Sequence, residues 1–464
     1  MLTGIYHVTK PLPEGVSVAW PVRQTAPVNI IFLADRTFVT TNDDEMIQRQ
    51  STQHIFDEMF LMIESAEHFI VTDMFLYNDW QGSVPEEHRQ LAISFTQALL
   101  IKKAANPAMP IVVITDPINE AYGGDSSLYF ERLRQAGIEV KVTDLKPLRD
   151  SNPLFSAPWR TFVQWFGNAN TGGILSHPFA ANGPNVTART WLTLLNFKAN
   201  HRKVLIADET VLVTSANPHD GSSAHSNIAI KVTDRQLAQD AIASERAIAS
   251  FPVLRELPAD NQPPKDQSAR VQLLTEGAIR QTLLELINRA EAQDTIDMFV
   301  FYLSDRAIVN ALLQAAQRGA DVRLILDPNK DAFGHTKNGV PNRPVAFELI
   351  TKSEGKIRVR WCDTHGEQCH SKLVLLHIGD RYVMTAGSAN LTRRNIGDYN
   401  LETNILVSAD EEIPAIADAH SHFGEIWNNE GGRTFTTDYV QYADSSLFKT
   451  ILYRIQEATG LSSF

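Results

Sequence analysis

His201-Arg202-Lys203-Val204-Leu205-Ile206-Ala207-Asp208, closed by Ser215-Ala216-Asn217, is the stretch on which the reading turns, because the chain carries it twice. The second copy is His370-Ser371-Lys372-Leu373-Val374-Leu375-Leu376, closed by Ser388-Ala389-Asn390. Side chains alternate faces along a strand, so the His and Lys of each copy point the same way. Asp208-Glu209 and Ile378-Gly379-Asp380 read as turns. The returning strands, Val211-Leu212-Val213 and Tyr382-Val383-Met384, then carry each Ser-x-Asn loop back beside its histidine. Two such units meeting at a seam suit displacement at phosphorus. One neutral imidazole attacks, the other serves as acid and then base, and Lys203, Lys372, Asn217 and Asn390 stabilise the non-bridging oxygens. These donors do the work that a metal does in other phosphoryl transfers, so neither metal nor cofactor is called for.

The duplication extends outward from the motifs. Val28 to Leu33 opens the first half and Val271 to Thr275 the second. Helix-patterned segments follow, Ile55 to Ala66 and Ile279 to Ala290, with apolar positions three and four apart. Then come buried strands, Ile70 to Leu76 and Thr295 to Val300. Further strands end in Asp116-Pro117 and Asp327-Pro328, each followed by an aromatic-Gly pair, Tyr122-Gly123 and Phe333-Gly334. Alternating strands and helices predict an α/β fold around a parallel or mixed sheet in each half, with one site formed by both. The expected division is 1–250, a linker over 251–270 crowded with Pro252, Pro258, Pro263 and Pro264, and 271–464. The first half carries an insertion, about 153–197, rich in aromatics. It reads either as a subdomain burying its own rings or as a lid that meets lipid tails, with Trp159, Trp165, Phe166 and Trp191 as candidate contacts.

Composition narrows the field. The chain has 464 residues, 43% hydrophobic and 21% charged, as in an ordinary globular protein. A net charge of −12 argues against binding nucleic acid through the overall field. Two cysteines, Cys362 and Cys369, exclude a disulfide framework as the basis of the fold. No basic-then-apolar leader opens the sequence, and no apolar run nears the roughly 18 residues of a membrane span. The compartment stays open, as does the oligomeric state, for which a monomer suffices.

The paired His-x-Lys…Asp…Ser-x-Asn units resemble the two HKD motifs of the phospholipase D superfamily, over roughly Val28 to Trp427. The likeness is to bacterial phospholipase D and cardiolipin-synthase-like enzymes. That resemblance implies a duplicated α/β sandwich with pseudo-twofold halves. It also implies a hydrolase or transphosphatidylase that works without metal, through a covalent phosphohistidine. His201 would be the nucleophile and His370 the acid/base; Asp208 and its counterpart, with Ser215 and Ser388, would be structural. The chain departs from the pattern in places. Thr214 stands where the family prefers Gly, and His377 takes the usual Asp position. Asp380 then serves if the turn is three residues longer. Glu402, in Asn400-Leu401-Glu402, is the acidic residue expected to orient His201; the aligned Asn227-Ile228-Ala229 offers none for His370.

Each motif has a bland reading, and only the pairing of the two outweighs it. Cys362, His365, Cys369, His370 and His377 suggest zinc, but their spacing is irregular and the first half has no equivalent. Asp73 and Asp297 read as locally paired strand carboxylates. The expected substrate is a glycerophospholipid at a membrane or micelle surface. A nuclease of the same superfamily is the runner-up, and a non-catalytic lipid-binding protein comes third.

Overall fold

The computed structural model describes residues 2–41, 47–81, 88–168, 172–180, 183–252, 254, 257, 266–332 and 335–462. Most of the expected linker and the Phe333-Gly334 pair lie outside them.

Two sheets carry the duplication. The seven-stranded sheet runs Ile30–Ala34, Ile228–Thr233, Thr210–Thr214, Lys203–Ala207, Ile70–Met74, Ile111–Thr115, Glu139–Val142. In the other, Ala269–Thr275, Thr403–Ala409, Arg381–Gly387, Lys372–Ile378, Thr295–Val300, Asp321–Leu326 and Ile357–Cys362 follow in the same order. In each, the last three strands pair in parallel and the rest are antiparallel. The second sheet gains two flanking strands, Thr436–Asp438 and Arg23–Thr25. The latter comes from the N-terminal region and pairs with Ala269–Thr275. The fold is the duplicated α/β sandwich expected.

Period-two alternation builds the layers. Val204 and Ile206 face a core shared with Leu373, Leu375, Met384 and Val407 of the other sheet. Leu205 and Ala207 face helices Ile55–Ser65 and Leu91–Ala105; Val374 and Leu376 face Glu276–Ile287 and Arg306–Arg318. Each motif strand is thus buried on both sides, which is why it reads as a near-continuous aliphatic run. Asp305 starts one of these helices by accepting the Ala307 and Ile308 N–H groups. Helices Arg235–Arg246 and Pro414–Asn428 cross the seam, the first packing on Ala269–Thr275 and the second on Ile30–Ala34.

The lengthened turn is corrected. Both motif hairpins have two-residue turns, Asp208-Glu209 and Gly379-Asp380, between Ala207↔Thr210 and Ile378↔Arg381. The second hairpin is longer because each strand has seven residues where the first has five. Asp208 therefore corresponds to Gly379, and the two share a positive φ, 53° and 57°. Asp208 accepts the N–H groups of Glu67, His68 and Phe69. In the second half Asp294 ties the turn, accepting the Gly379 N–H, while Asp380 is exposed and makes no hydrogen bond among the described residues.

Candidate active site

Each histidine is positioned from behind by the other half. His201 Nδ1 lies 3.0 Å from Glu402 Oε2, and the Glu402 carboxylate also accepts from Ser388 Oγ and Asn395 Nδ2. The backbone repeats the tie, since the His201 N–H donates to the Leu401 carbonyl at 2.9 Å. His370 Nδ1 lies 3.2 Å from Asn227 Oδ1. Asn227 occupies the place that Glu402 holds in the other copy. Ser215 Oγ donates to Asn227 and accepts the Ile228 N–H, as Ser388 Oγ donates to Glu402 and accepts the Thr403 N–H. Matching Ala229 to Glu402 from the sequence is therefore two residues out of register, and the group that holds His370 is an amide. The amide is oriented, because its Nδ2 donates to the His225 carbonyl at 3.1 Å.

The lysines behave alike in both copies. Lys203 Nζ donates to the His201 carbonyl at 2.8 Å, Lys372 Nζ to the His370 carbonyl at 2.7 Å. Each lies over a phenylalanine, Phe75 at 5.0 Å and Phe301 at 5.1 Å, and the same rings touch His201 and His370. Phe75 and Phe301 were not singled out in the sequence, although both directly follow the third strand from the sheet edge in their repeats. The Asp-Pro aspartates are a second repeated device. Asp116 Oδ2 accepts the Asn200 N–H and Asp327 Oδ2 the Cys369 N–H, the residue before the motif histidine in each half. Arg202, between His201 and Lys203, is fully buried and bridges the halves through Glu245 at 3.3 Å and Glu276 at 2.7 Å.

Burial sets the charges. It pushes Glu402 up to about 8, against Lys203 and the hydrogen bonds from Asn395 and Ser388. Burial, then Lys203, Lys372 and Arg394, holds His201 well below its usual range. The pair therefore shares one proton at neutral pH. Desolvation, with Lys372 and His225 next, depresses His370 likewise, and Lys203 falls to about 7.

The site opens on a cavity of about 390 Å³ lined by His201, Asn217, His370 and Asn390 among others. Leu76 N–H donates to Asn217 Oδ1, which leaves the Asn217 NH₂ for a ligand. From the insertion, Phe179, Leu194 and Phe197 reach this wall, joined by Lys198 just after it. The proposed tryptophan contacts need correction. Trp159 lines an adjoining cavity that shares Tyr122 and Lys198 with the first, while Trp165, Phe166 and Trp191 line neither. Trp165 and Phe166 are 71% and 74% exposed, and Trp191 is tethered at the surface by its Nε1–H to the Ser176 carbonyl.

Cys362 and Cys369 form a disulfide, which the sequence reading did not foresee. Among the described residues no cluster of His, Cys, Asp or Glu could hold a metal ion, and the zinc alternative falls with the cysteines bonded to each other. Asp297 pairs locally with Arg323, as expected, but Asp73 accepts from Asn200 Nδ2, beside His201. No helix among the described residues is long and apolar enough to cross a membrane.

Comparison with known proteins agrees with this geometry. The family described as cardiolipin synthase, PLD-like domain, matches residues 283–427. No curated protein matches the chain by sequence. Among solved structures, phosphatidylserine synthase from Haemophilus influenzae Rd KW20 is 13% identical. That match covers 95% of this chain and 96% of the synthase, with a TM-score of 0.58. Polyphosphate kinase from Porphyromonas gingivalis is 14% identical over 86% of this chain and 51% of its own, with a TM-score of 0.46. Nuc, a phospholipase D family member from Salmonella typhimurium, is 22% identical over 37% of this chain and 98% of its own, with a TM-score of 0.29. The second half, residues 283–427, thus matches a phospholipase D-like domain, and the two His-x-Lys units on two matching sheets give the whole chain a duplicated fold like that of the synthase.

Proposed function

We propose that this phosphodiesterase cleaves or transfers the phosphatidyl group of glycerophospholipids through a covalent phosphohistidine on His201. The observation that carries the reading is the meeting of both motif histidines on one cavity wall, each held through Nδ1 so that Nε2 is left for chemistry. His201 Nε2 attacks phosphorus as the ester bond to the leaving oxygen breaks. Protonated His370 gives that oxygen its proton. His370 then takes a proton from water or an alcohol, whose oxygen displaces His201 from phosphorus. Glu402 stabilises positive charge as it grows on the attacking imidazole. Lys203, Lys372 and the amides of Asn217 and Asn390 face the charge on the non-bridging oxygens; removing one such donor commonly lowers the rate by about 10²–10³.

Two features support a lipid over a nucleic acid. The insertion lends Phe179, Leu194 and Phe197 to the cavity wall and elsewhere leaves Phe162, Trp165 and Phe166 exposed, as an element that meets an acyl surface would. The net charge of −12 opposes an extended polyanion. The test is head-group release from phospholipid–detergent micelles without metal, with an alkaline denaturing quench, which spares the acid-labile P–N bond, to trap ³²P on the protein. Turnover together with a trapped phosphohistidine absent from His201→Ala is the expected result. Protein that leaves every phospholipid intact but degrades single-stranded DNA overturns the lipid reading, and His201→Ala equal to the parent in every assay overturns the catalytic one.

A further inference from the structure

Two cations on the catalytic wall have no role in the reaction just described. Arg394, in the short helix Arg393–Ile396 that follows the Asn390 loop, lines the cavity beside the histidines. Its Nη1 donates to the Ser462 carbonyl at 2.9 Å, while its Nε is buried with no hydrogen-bond partner. Lys337 lines the same cavity, and its Nζ donates to the Tyr302 hydroxyl. Neither is paired with a carboxylate among the described residues. Lys198, the third cation on the wall, differs, because Asp150 holds it at 2.5 Å.

No Asp or Glu is found among the described residues of that wall. Glu402 stands behind His201, committed to it. A trimethylammonium or ammonium head group would need either a carboxylate or an open aromatic face. The aromatic faces nearest the histidines are already taken by the protein's own cations. Lys203 covers Phe75 and Lys372 covers Phe301. Lys337 lies 5.2 Å from the Tyr302 centroid, and Arg394 lies 6.0 Å from that of Phe197. A cationic head group would meet Arg394 and Lys337 with no carboxylate on the wall to offset them. An anion meets the reverse, and a buried guanidinium whose Nε has no hydrogen-bond partner gains from a ligand that supplies an acceptor.

We propose that the substrate bears a second anionic group, a phosphate or a carboxylate, which Arg394 and Lys337 bind while Lys203 and Lys372 hold the phosphorus under attack. This rests on the phosphodiesterase reading above and narrows it to lipids whose polar part carries two negative charges. The donor fork of Arg394 fixes orientation as well as charge, so it selects the substrate and positions its reacting phosphorus at once.

Mixed detergent micelles at fixed lipid mole fraction and ionic strength separate head-group recognition from surface potential. Wild-type protein is offered cardiolipin, with two phosphates, phosphatidylserine, with a carboxylate, and phosphatidylcholine. We expect kcat/KM for one of the first two to exceed that for phosphatidylcholine by about 100-fold; which of them leads tells phosphate from carboxylate. In Arg394→Gln that ratio shrinks at least about tenfold, mainly through KM, and Arg394→Lys recovers part of it. Phosphatidylcholine turned over as well as the others, or a ratio unmoved in a folded Arg394→Gln protein, overturns the proposal. Calorimetry on His201→Ala keeps the two claims apart. Inorganic pyrophosphate should bind at least about tenfold tighter than inorganic phosphate, and adding Arg394→Gln should abolish that difference. Equal binding of the two anions overturns the second subsite even if lipids are cleaved. A clear preference with no lipid turnover upholds the subsite and sinks the phospholipase reading instead.

Discussion

The first motif copy grips its histidine with a carboxylate and the second grips its own with an amide, although the serine that holds each grip corresponds between the copies. In the proposed mechanism that difference divides the labour. An imidazole forming a bond to phosphorus gains positive charge, and Glu402 offsets it at His201. An imidazole that must surrender a proton is a stronger acid when no anion stabilises its charged form, and Asn227 supplies orientation to His370 without charge. The structure around both copies is nearly symmetric, so the proposed asymmetry of the reaction would trace to Glu against Asn.

The sharpest way to break this comparison is to delete each histidine in turn. His201→Ala and His370→Ala should each lower kcat on phospholipid by about 10⁴-fold or more. They should part company on a phosphodiester with a p-nitrophenol leaving group, which leaves without a proton. Loss of His370 should then be largely bypassed and the phosphoenzyme should accumulate, while His201→Ala stays inactive. Equal rescue of both would erase the assignment of roles.

Next in size are the grips themselves. Glu402→Gln makes the first copy resemble the second and should lower kcat by about 10²–10⁴, since the attacking imidazole loses its counter-charge. Asn227→Ala should cost about 10- to 100-fold, the usual range for losing an orienting partner. Similar losses from both would mean that both groups only orient.

These two residues also show what was legible in the chain. The repeated strands and helices could be read because each half repeats the same apolar periods in the same order. The pairs His201 with Lys203 and His370 with Lys372 were visible because His-x-Lys recurs before matching aliphatic runs, although the strands themselves begin at the lysines. Glu402 was legible because it is acidic. Asn227 was not, because the likeness of Asn400-Leu401-Glu402 to Asn227-Ile228-Ala229 invites an alignment that the Ser215 and Ser388 hydroxyls contradict by two residues. Asp116 and Asp327 were visible as a repeat, but their contacts span 84 and 42 residues and no local spacing announces them. Trp165 and Phe166 misled for a different reason, since aromatic content says nothing about which side of an insertion faces the cavity.

A subtler test uses pH. Burial and Lys372 hold His370 well below its ordinary range, so its protonated form is lost early as pH rises, and kcat/KM should fall from mildly acidic to alkaline pH. Asn227→Asp puts an anion at Nδ1. An anion favours the imidazolium, so the pKa rises and activity should persist about one unit further toward alkaline pH. A profile whose alkaline limb stays put, or moves the other way, would show that His370 is not the group whose proton is required.

The smallest contrast lies one residue before each histidine. The strand registers Thr115↔Val142 and Leu326↔Trp361 make Thr143 the counterpart of Cys362, and Asn200 that of Cys369. The first copy joins its pair by a hydrogen bond, Asn200 Nδ2 to Thr143 Oγ1 at 2.9 Å, and the second by a disulfide across seven residues of sequence. The same seam is thus tied once by a hydrogen bond and once covalently. Closing so short a loop stabilises by roughly 2–3 kcal/mol in the chain-entropy account, against about 1 kcal/mol for a hydrogen bond. Reduction of the native disulfide, or Cys362→Ser with Cys369→Ser, should therefore lower stability by about that amount in urea titrations and kcat by less than about tenfold, because Asp327 still holds the Cys369 N–H. Thr143→Val should lower stability by about 1 kcal/mol. The double variant Cys362→Thr with Cys369→Asn transplants the first copy's tie into the second, and should recover part of what the double serine variant loses. If it recovers nothing, the correspondence between the two ties is positional only and the second copy depends on its covalent bond.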